Sequence, residues 1–164
     1  MERAHNKVAT TNTIHSEVAA ARAGRNPAVI GRGRSGWFVM ATVQVVPGKC
    51  LLLPDPVVGS INDLTSSDRA RFLLDMVGLG DALLRVTDAY RVNYEILGNG
   101  DPVLHAHVTP RYLSEPANRR IWPVWFYDLS SAPRFDPKRD LAVQRKLAQS
   151  LAELGLLSET YGTT

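Results

Sequence analysis

Two strand-like runs, residues 90–97 and 103–108, flank the turn Gly98-Asn99-Gly100-Asp101, and this pairing constrains the fold more than any other feature of the chain. An Asn-Gly step between runs of this kind marks a hairpin, because both residues tolerate positive φ. Side chains alternate across a strand, so Val103, His105 and His107 are expected on one face and Leu104, Ala106 and Val108 on the other. Two imidazoles side by side, after a turn rich in backbone N–H groups, form the most reactive spot in the sequence.

The rest of the chain supplies a sheet and its cover. Residues 1–12 read as a polar arm, and Thr13 onward as a short helix that Gly24 stops. Gly31-Arg32-Gly33-Arg34-Ser35-Gly36 matches no phosphate-loop or dinucleotide fingerprint and reads as a hairpin turn with solvated arginines. Residues 37–46 and 49–53 form an antiparallel pair around Pro47-Gly48. A helix is expected over residues 67–88, with Leu73, Met76, Val77, Leu83 and Leu84 on its buried stripe and Arg71, Asp75 and Asp81 mostly outside it. Residues 119–127 concentrate aromatics; they pack over the sheet, wall a base pocket or meet a second copy of the chain. A last helix runs from Pro137 to about Leu154, with Leu141, Leu147, Ala148, Leu151 and Leu154 on one side and Gly155 ending it.

Composition narrows the function classes. At 164 residues with a net charge of +3, the chain suits one globular domain that tolerates an anionic substrate. No basic stripe argues for nucleic acid, and no apolar run approaches the ~20 residues needed to span a bilayer. The single cysteine, Cys50, lies in an apolar run and reads as a small core residue; its solitude and the lack of a secretory leader suit a cytoplasmic protein.

Three readings of the histidine pair stand side by side. A His-x-His strand suits zinc, but needs a third ligand, and only His5 and His15 remain. Two satisfied core histidines form the second reading. The third is nucleophilic catalysis at phosphorus, where a neutral imidazole attacks and turn N–H groups hold the phosphate oxygens. Titratable clusters beside anion-binding turns favour the third.

The pattern Gly98-Asn99, then Leu104-His105-Ala106-His107-Val108-Thr109-Pro110-Arg111, resembles the signature of the histidine triad superfamily, His-φ-His-φ-His-φ-φ, often followed by Pro-Arg in dinucleoside polyphosphate hydrolases. Upstream, Pro47-Gly48-Lys49-Cys50-Leu51-Leu52-Leu53-Pro54 is similar to that family's Pro-Gly-His-x-Leu-φ-φ-Pro strand, and Asp63-Leu64 and the long helix follow in order. With the C-terminal helix read above as an extension, the chain divides into an arm and short helix (1–27), a catalytic core (28–115) and an aromatic loop with a C-terminal helix (116–164). The resemblance covers about residues 28–113, carries no signal in the flanks, and implies an α+β fold: an antiparallel sheet of about five strands with a long helix on one face. It further implies His105 as nucleophile and His107 as the group that orients it. Asn99, Gly100, Asn93 and Arg111 would contact or frame the phosphate. Lys49, in place of the strand histidine, would add a point charge to it.

Val103 stands where the first histidine belongs, and Ala41 or Thr42 where relatives often carry an Asp or Asn for ribose hydroxyls. The phosphorylase branch tends to carry Gln at the third position, so His107 leans toward hydrolysis. The implied substrates are dinucleoside polyphosphates or nucleoside phosphoramidates, with a nucleotidyl-histidine intermediate. No cofactor is tightly bound, Mg²⁺ travels with a polyphosphate substrate, and the partner is a second copy in a homodimer. The same fold with weakened catalysis, a nucleotide-binding module, is the alternative.

Overall fold

A computed structural model describes residues 13–158. The expected N-terminal arm, His5 and nearly all of the expected C-terminal tail lie outside them. In chain order the elements are α1 (Thr13–Arg22), β1 (Val29–Arg32), β2 (Gly36–Met40), β3 (Cys50–Pro54), α2 (Ser66–Val86), β4 (Arg91–Glu95), β5 (Ala106–Arg111), α3 (Ala117–Arg120) and α4 (Leu141–Glu153). The strands form one five-stranded sheet in the order β1-β2-β3-β5-β4, with every neighbouring pair antiparallel. This is the α+β architecture the sequence pattern implies.

Alternation assigns each strand residue to a layer. Phe38, Met40, Cys50, Leu52, Ala106 and Val108 face α2 and α4 and join Phe72, Leu79, Leu83, Leu147 and Leu151 in the main core. Trp37, Val39, Ala41, Leu51 and Leu53 face the other way and meet Ile14, Val18 and Ala21 of α1. The second face is therefore closed at one end by α1. Its other end, along β5 and β4, holds the polar residues.

The long helix begins where its cap dictates: Thr65 Oγ1 accepts the Asp68 N–H. Its buried stripe differs from the expected one. Phe72, Met76, Leu79, Gly80, Ala82 and Leu83 are buried, whereas Leu73, Val77 and Leu84 are exposed. Gly80 sets this rotation, since a Cβ there would stand 2.0 Å from the Tyr94 hydroxyl of β4. Asp75, expected on the outer face, is buried because it accepts the Ser35 N–H and hydroxyl at the β1–β2 turn. Of the two arginines there, Arg34 is exposed, while Arg32 sits 5.2 Å from the Trp37 ring centroid.

The last helix starts at Leu141 rather than at Pro137, because the Asp136 carboxylate accepts the N–H groups of Lys138 and Arg139 and holds a turn there. Leu147 and Leu151 are buried as expected, but Leu141 is exposed. Gly155 ends the helix at φ 69°. Ser158, placed in the polar tail on sequence, instead donates its N–H and hydroxyl to the Arg32 carbonyl.

Candidate active site

The polar half of the second face is built by register. β5 places Arg111 beside Arg91, Thr109 beside Asn93 and His107 beside Glu95, so these side chains share a face. β3 flanks them, with Leu51 opposite His107 and Lys49 just before the strand begins.

The β4–β5 connection is longer than a tight hairpin. The strands end at Glu95 and restart at Ala106, so residues 96–105 form a loop and His105 lies just outside the strand. The alternation survives because the Leu104 N–H donates to the Val58 carbonyl and keeps this stretch extended. Leu104 accordingly joins the α2 core, while Val103 packs against the α1 cluster. An apolar side chain at position 103 thus has a structural reason: it seats α1.

The two histidines meet as the sequence pattern requires, with ring centroids 4.9 Å apart at an interplanar angle of 75°. His105 is 8% exposed, and its Nδ1 lies 2.8 Å from the Val103 carbonyl oxygen. A carbonyl only accepts, so Nδ1 carries a hydrogen, and in the neutral ring the lone pair is on Nε2.

His107 stacks edge-on against Trp125 at 4.9 Å, and Lys49 Nζ lies 4.5 Å from the centroid of the same indole. Burial, then the charges of Lys49 and His105, push His107 down to about 3, so it is neutral at physiological pH. Burial also lowers the Lys49 ammonium, against the opposing pull of Glu95. Four buried polar atoms on this face have no hydrogen-bond partner: His107 Nδ1, Thr109 Oγ1, Trp125 Nε1 and Glu95 Oε2. Such atoms are normally satisfied, so their convergence marks a place built to receive polar groups.

The other expected residues are placed differently. Asn99 and Gly100 are exposed in the loop and make no hydrogen bond to the histidine pair. Asn93 accepts from Arg111 Nη1 at 2.9 Å. Arg111 itself is 3% exposed and spends every donor within the protein. Nε and Nη2 grip Glu115, Nη1 also reaches the Trp122 carbonyl, and Nη2 reaches the Arg120 carbonyl and the Tyr127 hydroxyl. As placed, Arg111 has no donor left for a substrate. It binds residues 115–127 to the sheet and so positions Trp125.

That role answers the open reading of the aromatic segment. Val124 is buried and Trp125 half-buried against the histidine face, whereas Ile121, Trp122 and Phe126 project outward.

Two acids went unnoticed in the sequence. Asp101 Oδ2 accepts the Ile14 N–H and fastens the loop to α1, while its buried Oδ1 is unpartnered. Glu17 of α1 lies within electrostatic reach of His105 and Asp101. Asp101 closes the turn of residues 98–101 and Glu17 sits in no motif, and the docking of α1 on the sheet is what brings the two together. Cys50 is buried and its thiol is pushed up by burial, consistent with a core role. Among the described residues, no group of three or more His, Cys, Asp or Glu is arranged to hold a metal ion. No described helix is long and apolar enough to cross a membrane.

Neither protein-family models nor curated proteins match the sequence. Solved structures do match. A histidine triad protein from Marinobacter aquaeolei VT8 shares 23% identity over 77% of this chain and 89% of its own, with a TM-score of 0.66. A histidine triad protein from Sinorhizobium meliloti 1021 shares 21% over 80% and 94%, also at 0.66. A zinc-bound histidine triad family protein from Mycobacterium smegmatis shares 22% over 87% and 97%, at 0.54. With the sheet order, the flanking helices and the paired histidines, these likenesses identify the fold of this chain as that of the histidine triad proteins.

Proposed function

We propose that this chain is a nucleotide hydrolase that cleaves at the α-phosphorus of dinucleoside polyphosphates or nucleoside phosphoramidates. The observation that carries this reading is the tautomer of His105. Its Nδ1–H is committed to the Val103 carbonyl, which frees the Nε2 lone pair beside a neutral His107.

In the first step the Nε2 lone pair forms a bond to phosphorus, the bond from phosphorus to the leaving oxygen or nitrogen breaks, and that atom takes a proton from solvent. In the second step water attacks phosphorus, the P–N bond returns its electrons to Nε2, and the water proton is lost to bulk. Thr109 Oγ1, Trp125 Nε1 and the Lys49 ammonium are the side-chain donors for the phosphoryl oxygens, and preorganised donors of this kind stabilise developing charge. Asn99 and Gly100, exposed in the loop of residues 96–105, add backbone N–H donors for the phosphate.

The reading has no resident metal. Among the described residues the two histidines have no third ligand of the kind zinc needs, and Mg²⁺ arrives with the polyphosphate. The chain acts in the cytoplasm as a homodimer, the partner that the family resemblance implies. The apolar residues at positions 41 and 103, both packed against α1, favour one alternative: a nucleotide-binding module with weakened turnover.

Wild type and His105→Ala assayed with diadenosine tetraphosphate and adenosine phosphoramidate separate these readings. Hydrolysis requires AMP release by wild type and none by the variant. Nucleotide binding without AMP release by either supports the binding module, and equal turnover by both removes His105 from the chemistry.

A further inference from the structure

One acid in the β4–β5 loop joins α1 to the ring of His105 by direct hydrogen bonds. Asp101 Oδ2 accepts the Ile14 N–H of α1 at 2.8 Å. The first turn of α1, Thr13-Ile14-His15-Ser16, holds no acid of its own, so Asp101 supplies the negative charge that a helix N-terminus attracts. The backbone carbonyl of the same residue accepts the Val103 N–H at 2.8 Å. The Val103 carbonyl is in turn the group that accepts from His105 Nδ1, also at 2.8 Å. Three hydrogen bonds thus run in series from the first turn of α1 to the imidazole.

The series is stiff. Pro102 lies between Asp101 and Val103; its ring fixes its own φ and restricts Asp101 to extended backbone. The Val103 side chain packs against the α1 cluster, and the next N–H, that of Leu104, donates to the Val58 carbonyl at 2.8 Å. The Val103 carbonyl is therefore held from both sides, and Asp101 is its hydrogen-bonded link to α1. A neutral imidazole carries its hydrogen on the nitrogen whose partner accepts it. A Val103 carbonyl that moved away would let the hydrogen settle on Nε2, the atom that must keep its lone pair. Resting on the nucleotide hydrolase reading, we propose that Asp101 is a positioning residue for His105. By anchoring residues 101–103 to α1, it holds the Val103 carbonyl on Nδ1 and so keeps Nε2 free of hydrogen and aimed at phosphorus. The docking of α1 then reaches the chemistry through the backbone of the loop.

The test reads the tautomer of His105 directly. Long-range ¹H–¹⁵N spectra of labelled protein, at a mildly alkaline pH where imidazoles are neutral, distinguish the ring nitrogen that bears a hydrogen from the one that does not. The His105 signals are assigned by their loss in His105→Ala. Wild type should bear the hydrogen on Nδ1. In Asp101→Ala the Nε2–H form should rise at least about fivefold relative to the Nδ1–H form, the population shift for one net hydrogen bond. Its kcat for adenosine phosphoramidate should fall about 10–100-fold, the scale of a misplaced reacting group. Asp101→Asn keeps an acceptor oxygen for the Ile14 N–H and should restore both readouts. Asp101→Leu keeps the side-chain volume without an acceptor and should behave as Asp101→Ala does, which covers a failure of the alanine variant to fold. Val18→Ala loosens α1 at a buried residue outside the series and should leave the tautomer unchanged. An unchanged tautomer in Asp101→Ala and Asp101→Leu overturns the proposal. So does an equal shift in Val18→Ala, which would assign the effect to helix packing, or a loss confined to KM, which would assign Asp101 to phosphate binding alone. The spectra need no turnover: a tautomer shift in Asp101→Ala with no AMP release by wild type overturns hydrolysis and supports Asp101.

Discussion

Replacing Arg111 by Ala tests whether the wall of the site depends on one side chain. The guanidinium is 4% exposed and its partner Glu115 7%, and the pair meets at 3.0 Å with Nε adding a second contact. Burial alone would raise the Glu115 carboxyl, yet the hydrogen bonds from Arg111 and Tyr127 outweigh it and hold the group below its usual range. Truncating Arg111 leaves that carboxylate buried without its cation, and it orphans Asn93 Oδ1 and the carbonyls of Arg120 and Trp122. Breaking a buried pair from one side costs about 3–5 kcal/mol. For a domain of this size that lowers Tm by about 6–20 °C.

A second signal should accompany the first. Without its clamp the segment carrying Trp125 leaves His107, so tryptophan emission should shift to the red below the melting transition. The pH dependence follows from Glu115. A carboxylate held below its ordinary pKa contributes stability above that ordinary value and loses it as pH falls through the lowered one. The gap between wild type and variant should therefore narrow below about pH 4. Thermal melts and emission spectra across pH, with an Arg111→Ala/Glu115→Ala double-mutant cycle, give the measurement. A loss below about 1 kcal/mol with unchanged emission would refute the clamp, because that is the size of an ordinary surface pair.

Other outcomes follow from the same geometry. His107 should titrate by NMR near pH 3, and Lys49→Met should move that midpoint upward by removing the second-largest cause of the shift. Because His107 prefers to be neutral when folded, its contribution to stability is complete above about pH 6.5 and declines as pH falls toward its folded value. Gly80→Ala should destabilise by about 1–3 kcal/mol in urea melts, since the added methyl meets the Tyr94 ring; a neutral result would mean that the ring swings aside freely. A thiol reagent should label Cys50 only as the protein unfolds, given its complete burial.

The sheet and the long helix on one face were legible because strand alternation and turn residues are local signals, whereas the docking of α1 on the opposite face was not. The pairing of residues 37–40 with 50–53 and the partition of Val103 and Leu104 to opposite layers both follow from period two. The face of α2 was not legible. Leucine spacing alone favoured Leu73, Val77 and Leu84, and the close approach of Tyr94 to Gly80 turned the helix instead. The start of α4 was hidden by a competing side-chain turn at Asp136, which no hydrophobic period reveals.

The site divides the same way. His105 and His107 were readable from spacing, and their rings do meet. The commitment of Arg111 to Glu115, Tyr127 and backbone carbonyls was not, because those partners come from a segment whose docking has no sequence period. Glu17 and Asp101 were invisible for a related reason. Each matters through α1 resting on the sheet, a contact between residues far apart in the chain.

The central claim is that His105 Nε2 becomes bonded to phosphorus. Wild type mixed with adenosine phosphoramidate, quenched rapidly at alkaline pH and digested for mass spectrometry, should carry one adenylyl group on the peptide containing His105. His105→Ala should carry none. An adduct that persists in the variant, or AMP released by wild type with no adduct at any time after mixing, would contradict the account.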